Sequence, residues 1–402
     1  MPPGPPWPGA ANLVSADGDH ACALTLSGAV YCWGAHPVGE DLSFGGTLSA
    51  AAFSDLCAAG TLTASSYPCI AKLPVPITGG GVTFTDFEIA QGSNCGLSAS
   101  GTAYCIGDTQ NYTVLPADTV RDATRGLLCG GTPCGILPLP LEGSYTVKQL
   151  GMSDFFRCIL TTAGAALCVG DNQYGELGNA APLTNSSTFL TVSGGLTFTS
   201  LVTSHQQEWA CGLVSGGSAY CWGYNNNGGL GIGSADINRH PAPALVLGGH
   251  HFTALTLGFL DACGLGTDSL AYCWGQNSAG AMGNGTVSAA VTSPVLGGGG
   301  KKYVQLTAGN GHVCGLIPGG QAFCWGDNSF GQLGDNQASG TQSTSPVAVA
   351  GGLTFRQISA GNSMTCGVTT TNVVYCWGLN QDAELGNGTI SDHVSAPVRV
   401  GG

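Results

Sequence analysis

KKYVQLTAGNGHVCGLIPGGQAFCWGDNSFGQLGDNQASGTQSTSPVAVA, residues 301–350, is the stretch whose reading decides the fold. Tyr303 to Thr307 alternates apolar and polar residues, as a half-buried strand does. Ala308-Gly309-Asn310-Gly311 turns the chain, and His312–Leu316 and Gln321–Trp325 read as two short strands around Pro318-Gly319-Gly320. A polar loop from Gly326 to Gly334 leads on to Ser345–Val349, a fourth strand ending in glycines. Four short strands with turns at this spacing describe one antiparallel propeller blade. In a hairpin centred on Gly319, Ile317 faces Gln321, Leu316 faces Ala322 and Cys314 faces Cys324. Opposed residues of an antiparallel pair have Cα atoms about 4.5–5.5 Å apart, within disulfide reach. A helix would hold two residues ten apart at about 15 Å along its axis.

Working outward, the same ten-residue spacing recurs seven times. It pairs Cys22 with Cys32, Cys95 with Cys105, Cys158 with Cys168, Cys211 with Cys221, Cys263 with Cys273, Cys314 with Cys324 and Cys366 with Cys376. The first cysteines are separated by 73, 63, 53, 52, 51 and 52 residues, a repeat near 52 with two early expansions. A repeat of that size signals a propeller or a solenoid. No segment keeps a 3.6-residue apolar period, so helices should be scarce. The expected fold is all-β, a seven-bladed propeller with four antiparallel strands per blade. Leu13-Val14-Ser15-Ala16 matches a first strand and Ser395 to Val400 a fourth strand. The two ends of the chain are therefore expected to meet in one sheet and close the ring.

Composition narrows the function. Lys and Arg number 10 against 23 Asp and Glu, a net charge of −13, and charged residues are only 8 % of the chain. A nucleic-acid binder needs a basic face to displace counterions, so DNA and RNA are excluded as partners. No uninterrupted apolar run reaches the roughly 18 residues that would suggest membrane insertion. The 18 cysteines fall in pairs, and such a regular set belongs to an oxidising compartment, hence a secreted, extracellular or cell-surface location. None of the pairs is a C-x2-C zinc knuckle. Two further pairs, Cys57 with Cys69 and Cys129 with Cys134, stand between the regular ones, and four cysteines allow three connectivities.

The runs CWGDNSFGQLG (324–334) and CWGLNQDAELG (376–386) resemble the repeat of the regulator of chromosome condensation family, as do the versions starting at Cys168, Cys221 and Cys273. The resemblance covers residues 11–402 and implies a seven-bladed propeller, here as a secreted, disulfide-rich variant. It says little of activity, because propellers serve many functions. Members include a nuclear exchange factor for a small GTPase, a plant UV-B photoreceptor and a secreted propeller-type inhibitor of β-lactamase. Trp33, Trp222, Trp274, Trp325 and Trp377 occupy the repeat's own strand position, leaving Trp7 and Trp209, too few for a light-sensing cluster.

Irregular material is concentrated early. Residues 35–77 in blade 1 and 108–141 in blade 2 replace the usual loop, and insertions at one place in a repeat map to one face. They would raise a lobe displaying Phe44, Phe53, Tyr67 and Tyr112 as partner anchors. Residues 1–10 form a proline-rich segment carrying Trp7, which could dock on a neighbouring copy and build head-to-tail assemblies. The opening lacks a basic start and an apolar core, and reads as the start of a mature form or an excised segment. Sequons at Asn111, Asn185, Asn284 and Asn387 are candidate sites for N-linked glycans.

No Walker loop, Gly-x-Ser-x-Gly elbow or His-Glu-x-x-His appears, and no cofactor motif. His250-His251 would point to opposite faces of a strand. The Asp-Asn pairs at 171–172 and 327–328 read as turn-forming residues. The expectation is a non-enzymatic extracellular interaction or structural module that binds a protein partner or self-associates. The alternative is a secreted inhibitor or receptor-like binder, and an enzyme with a central-channel site comes after both.

Overall fold

Five residues set the register of each blade. In Ile317-Pro318-Gly319-Gly320-Gln321 the Gly320 N–H donates to the Ile317 carbonyl at 3.0 Å, and the Ile317 N–H to the Gln321 carbonyl at 3.1 Å. Gly320 has φ +84°, a left-handed conformation that side chains resist. Leu316 then faces Ala322, Gly315 faces Phe323 and Cys314 faces Cys324. Hydrogen-bonded and non-hydrogen-bonded pairs alternate, so three steps from Ile317–Gln321 the cysteines occupy the closer, non-hydrogen-bonded kind. The seven regular pairs face one another in this way. All seven are bridged as the spacing predicts, with Cα atoms 4.0–4.1 Å apart. Cys22 is joined to Cys32, Cys95 to Cys105, Cys158 to Cys168, Cys211 to Cys221, Cys263 to Cys273, Cys314 to Cys324 and Cys366 to Cys376. These separations fall below the 4.5–5.5 Å expected of a plain strand pair, because the bridge draws the two backbones together.

The computed structural model describes residues 8–18, 20–36, 69–77, 82–90, 93–107, 128–129, 132–133, 135–140, 145–205, 207–337 and 340–401. They form seven four-stranded antiparallel sheets, plus one small two-stranded pair, Leu128–Cys129 with Thr132–Pro133. The first strands, Leu13–Ala16, Phe84–Ala90, Val147–Met152, Phe198–Thr203, Phe252–Leu257, Gln305–Ala308 and Phe355–Ala360, surround the axis. The fold is an all-β, seven-bladed propeller. Among the described residues the only helical elements are two 3-10 turns, Gly298–Gly300 and Ala350–Gly352.

In the founding repeat the first strand begins at Gln305, later than the expected Tyr303, because Tyr303 is held elsewhere. Its N–H donates to the Ser269 carbonyl of the preceding blade at 2.7 Å, and its ring lies over Gly315, where a Cβ would come within 2.5 Å of it. Phe84 over Gly96, Phe198 over Gly212, Phe252 over Gly264 and Phe355 over Gly367 repeat the arrangement. Where the ring is absent, at Ala11 and Val147, the residue after the cysteine is Ala23 or Ile159 instead of glycine. Filling and emptying the same space in step is how a packed interior keeps its density.

Each hairpin also latches the next blade. The turn carbonyls of Gly28, Gly101, Gly164, Gly217, Ser269 and Gly320 accept the N–H of Phe84, Val147, Phe198, Phe252, Tyr303 and Phe355 at 2.7–3.0 Å. The seventh latch, Ala11 N–H to the Asn372 carbonyl at 2.9 Å, joins the first blade to the last. The terminal strands nevertheless lie in separate sheets, contrary to the single shared sheet expected. Blades 1 and 7 each draw all four strands from contiguous chain, so closure runs between inner strands. Val14 N–H donates to Gln357 Oε1 (3.0 Å), Gln357 Nε2 to the Val14 carbonyl (2.9 Å), and Ala16 N–H to Ser359 Oγ (3.1 Å).

The expected insertions prove shorter than 35–77 and 108–141. Cys69–Ile77 and Gly135–Pro140 are the outer strands of blades 1 and 2, and the third strand of blade 1 runs on to His36. Both outer strands are rich in proline, which disguises a strand in sequence but is tolerated at a sheet edge.

Candidate functional site

Alternating strand direction sends the ends of the first and third strands to one face. From it leave the turns after the inner strands and the loops between third and outer strands, including those that depart after His36 in blade 1 and Gly107 in blade 2. In five blades this loop is organised by one asparagine. Asn172, Asn225, Asn277, Asn328 and Asn380 are fully buried, and each Oδ1 accepts the N–H of Leu177, Leu230, Met282, Leu333 or Leu385 at 3.1–3.2 Å. The tryptophan of the following blade then donates from Nε1 into the loop. Trp222, Trp274, Trp325, Trp377 and Trp33 reach the carbonyls of Glu176, Gly229, Ala281, Gln332 and Glu384 at 2.6–2.9 Å. Ile106 and Val169 stand at the tryptophan position of blades 2 and 3, which follow the two blades whose loops are replaced. Loop and tryptophan are one device shared between neighbours.

Blade 3 departs from the device chemically. In blade 6, Gln332 Oε1 accepts the Phe330 N–H and Nε2 donates to Asp327 Oδ2 at 2.9 Å. In blade 3 the corresponding Glu176 accepts the Tyr174 N–H through Oε2, while Oε1 is buried without a partner. Burial first, and then the charges of Asp171 and Glu208 against two backbone hydrogen bonds, push its carboxyl up to about 7. Between the ordinary carboxylate pKa and about 7 the folded state keeps a proton that the unfolded state has released. Stability therefore falls as pH rises through that window. Glu176→Gln is expected to raise stability by roughly 1–3 kcal/mol near pH 8 and to change nothing near pH 4. Urea unfolding at both pH values checks it, and a gain of equal size at pH 4 contradicts it.

The inner strands enclose an axial channel with a water-accessible volume of about 210 Å3. Side-chain amides bind neighbouring inner strands through both amide atoms: Gln149 to Leu201, Gln305 to Ile358 and Gln357 to Val14. On the loop face Asp17 of blade 1 and His205 of blade 4 meet, Oδ1 to Nδ1, at 3.3 Å. Burial opposes the charge on His205, but the hydrogen bond and charge of Asp17, then Glu88 and Asp154, raise it to about 9. It is a cation at neutral pH. Below this pair the channel wall carries Glu88 among Ser15, Thr256, Thr307 and Ser359.

Several expected anchors, Trp7, Phe44, Phe53, Tyr67 and Tyr112, lie outside the described residues, as does the sequon residue Asn111. Cys57 and Cys134 lie outside them too, so neither the pair Cys57 with Cys69 nor the pair Cys129 with Cys134 falls wholly within the described residues. Asn185 is exposed, and its Oδ1 accepts the Asn172 N–H. Asn284 and Asn387 head turns in which Thr286 and Thr389 donate N–H and Oγ to the asparagine Oδ1. Trp209 is core. His250 stacks on Tyr272 with ring centroids 4.0 Å apart, while His251 Nδ1 hydrogen-bonds the Gly216 carbonyl at 2.6 Å. Among the described residues no cluster of three or more His, Cys, Asp or Glu could hold a metal. No helix there is long and apolar enough to cross a membrane. The sequence reading did not bring Asp17, Glu88 and His205 together, because they come from three blades and carry no local pattern.

Models of the regulator of chromosome condensation (RCC1) repeat match residues 14–39, 303–332, 355–383 and 319–368. The E3 ubiquitin-protein ligase HERC2 of Mus musculus is 27% identical over 73% of this chain, and the ultraviolet-B receptor UVR8 of Arabidopsis thaliana 27% over 50%. The chain spans 6% of the former's length and the alignment covers 46% of the latter's. Human WBSCR16 superposes with a TM-score of 0.69 at 17% identity, covering 85% of this chain and 88% of that one. Prp20p of Saccharomyces cerevisiae, whose structure is described with its binding to Gsp1p and histones, superposes at 0.66 and 16%, covering 92% and 83%. At such identities the likeness concerns the fold. The chain is thus a seven-bladed propeller that carries regulator of chromosome condensation (RCC1) repeats, matched by the family models in its first and last two blades.

Proposed function

We propose that this propeller is a protein-interaction or structural module that works outside the reducing cytosol and performs no chemistry of its own. The observation that carries the reading is the bridged hairpin at the centre of every blade, fourteen cysteines no more than 1 % exposed. Such a set forms and persists in an oxidising compartment. The partner, a protein or a second copy, is received on the face from which the loops depart after His36 and Gly107, since loops on a rigid scaffold are where binding residues gather. Glycans at Asn284 and Asn387 suit the same location, both lying in turns at the surface. Mass spectrometry of native material before and after reduction tests the compartment, and free thiols in the regular pairs overturn it. Deleting residues 48–68, which spares the outer strand beginning at Cys69, is expected to weaken partner binding or self-association measured by light scattering. Unchanged association removes that face as the interface, and a one-to-one complex with another protein favours a secreted binder over an assembling component.

A further inference from the structure

We propose that the axial channel binds a linear aliphatic diamine, or the amine-bearing end of a longer polyamine, through Glu88 and an arc of hydroxyls, three of them pinned. The inference is independent of the loop-face reading. The residues facing the first cysteine of each blade form one level of the channel: Ser15, Glu88, Gly151, Val202, Thr256, Thr307 and Ser359. All seven line it. Three of the hydroxyl oxygens are pinned, because Thr256, Thr307 and Ser359 accept the backbone N–H of Ala308, Ala360 and Ala16 at 3.0–3.1 Å. Each keeps a second lone pair, and a primary ammonium brings three donors to meet such oxygens and a carboxylate. Gly151 and Val202 leave the remaining arc without hydrogen-bonding side chains, which suits methylenes.

The charge balance favours a cation. Glu88 is the one charged side chain at its level. Burial, then Asp86, and more weakly Asp17, push its carboxyl up to about 7, with His205 acting the other way. At the mouth Asp17 is 1 % exposed, and its Oδ2 has no partner although Oδ1 holds His205. Asp154 adds a further negative charge that is felt at His205. Near the channel the His205 imidazolium thus stands against the carboxyls of Asp17, Glu88 and Asp86.

The test is calorimetric titration of the intact chain with 1,4-diaminobutane at pH 7, run beside 1,4-butanediol and ammonium chloride at matched ionic strength. The diamine is expected to bind and to release protons from Glu88, seen as heat that varies with buffer, while the diol does not bind. Glu88→Gln is expected to bind about ten-fold more weakly, the worth of one charge-assisted contact, and to release no protons. Val202→Leu, which fills the channel without touching charge, is expected to block binding as well. No diamine binding by the wild type at millimolar concentration overturns the proposal. So do equal affinities of wild type and Glu88→Gln with both folded, binding of the diol, or displacement by ammonium at equal concentration, which would mark a site for any small cation.

Discussion

Reduction of the cross-strand bridges is expected to lower the unfolding temperature by more than about 10 °C, with the sheets losing cooperativity together. Each bridge closes a loop such as Cys314–Cys324, for which the chain-entropy treatment gives about 2.8 kcal/mol. The terms do not add, but a domain's net stability is only about 5–15 kcal/mol, so seven bridges rival the whole of it. Glycine makes the dependence sharper, because 67 glycines enlarge the entropy the folded chain must overcome. A two-residue variant, Cys314→Ala with Cys324→Ala, is expected to lose roughly 2–3 kcal/mol on its own. Circular dichroism melts of oxidised, reduced and single-blade variants give the comparison. Coincident melts of the oxidised and fully reduced protein would show that packing alone holds the blades.

The second large effect concerns the latch between loop and tryptophan, and two glycines of nearly equal backbone geometry isolate it. Gly334 has φ +67° and Gly352 φ +63°, so alanine costs the same left-handed penalty, about 1 kcal/mol, at both. A Cβ on Gly352 meets nothing within 4 Å, whereas one on Gly334 would lie 2.6 Å from Trp377 Nε1. Gly334→Ala must push the indole off the Gln332 carbonyl that it reaches at 2.9 Å, and unpack a fully buried ring. The expected loss is about 3–5 kcal/mol, on the scale of deleting a core aromatic, against about 1 kcal/mol for Gly352→Ala. Tryptophan emission should shift to the red in the first variant only. Equal losses at the two sites would mean that the indole yields freely and the latch carries little.

The local fold was legible because its causes are local. Ten-residue cysteine spacing, the glycine turn and alternating apolar residues each act within one hairpin, and the register at Cys314–Cys324 follows from them. The five tryptophans were recognised as repeat residues, yet their partners lie in the preceding blade, 44–46 residues away for four of them and 351 for Trp33. The outer strands Cys69–Ile77 and Gly135–Pro140 were hidden by prolines that an edge accepts.

The amino-acid sequence alone therefore determined the blade, the number of blades and the pairing of the regular cysteines, since nearest-neighbour sterics and turn chemistry decide those. Only the closed ring decided that Asp17 would meet His205 at a channel mouth, that Glu88 would face pinned hydroxyls, and that Ala11 would lock onto Asn372. Those contacts join residues far apart along the chain. They exist because circular closure fixes the distance between blades that share no local interaction, and no periodicity in the chain encodes that distance.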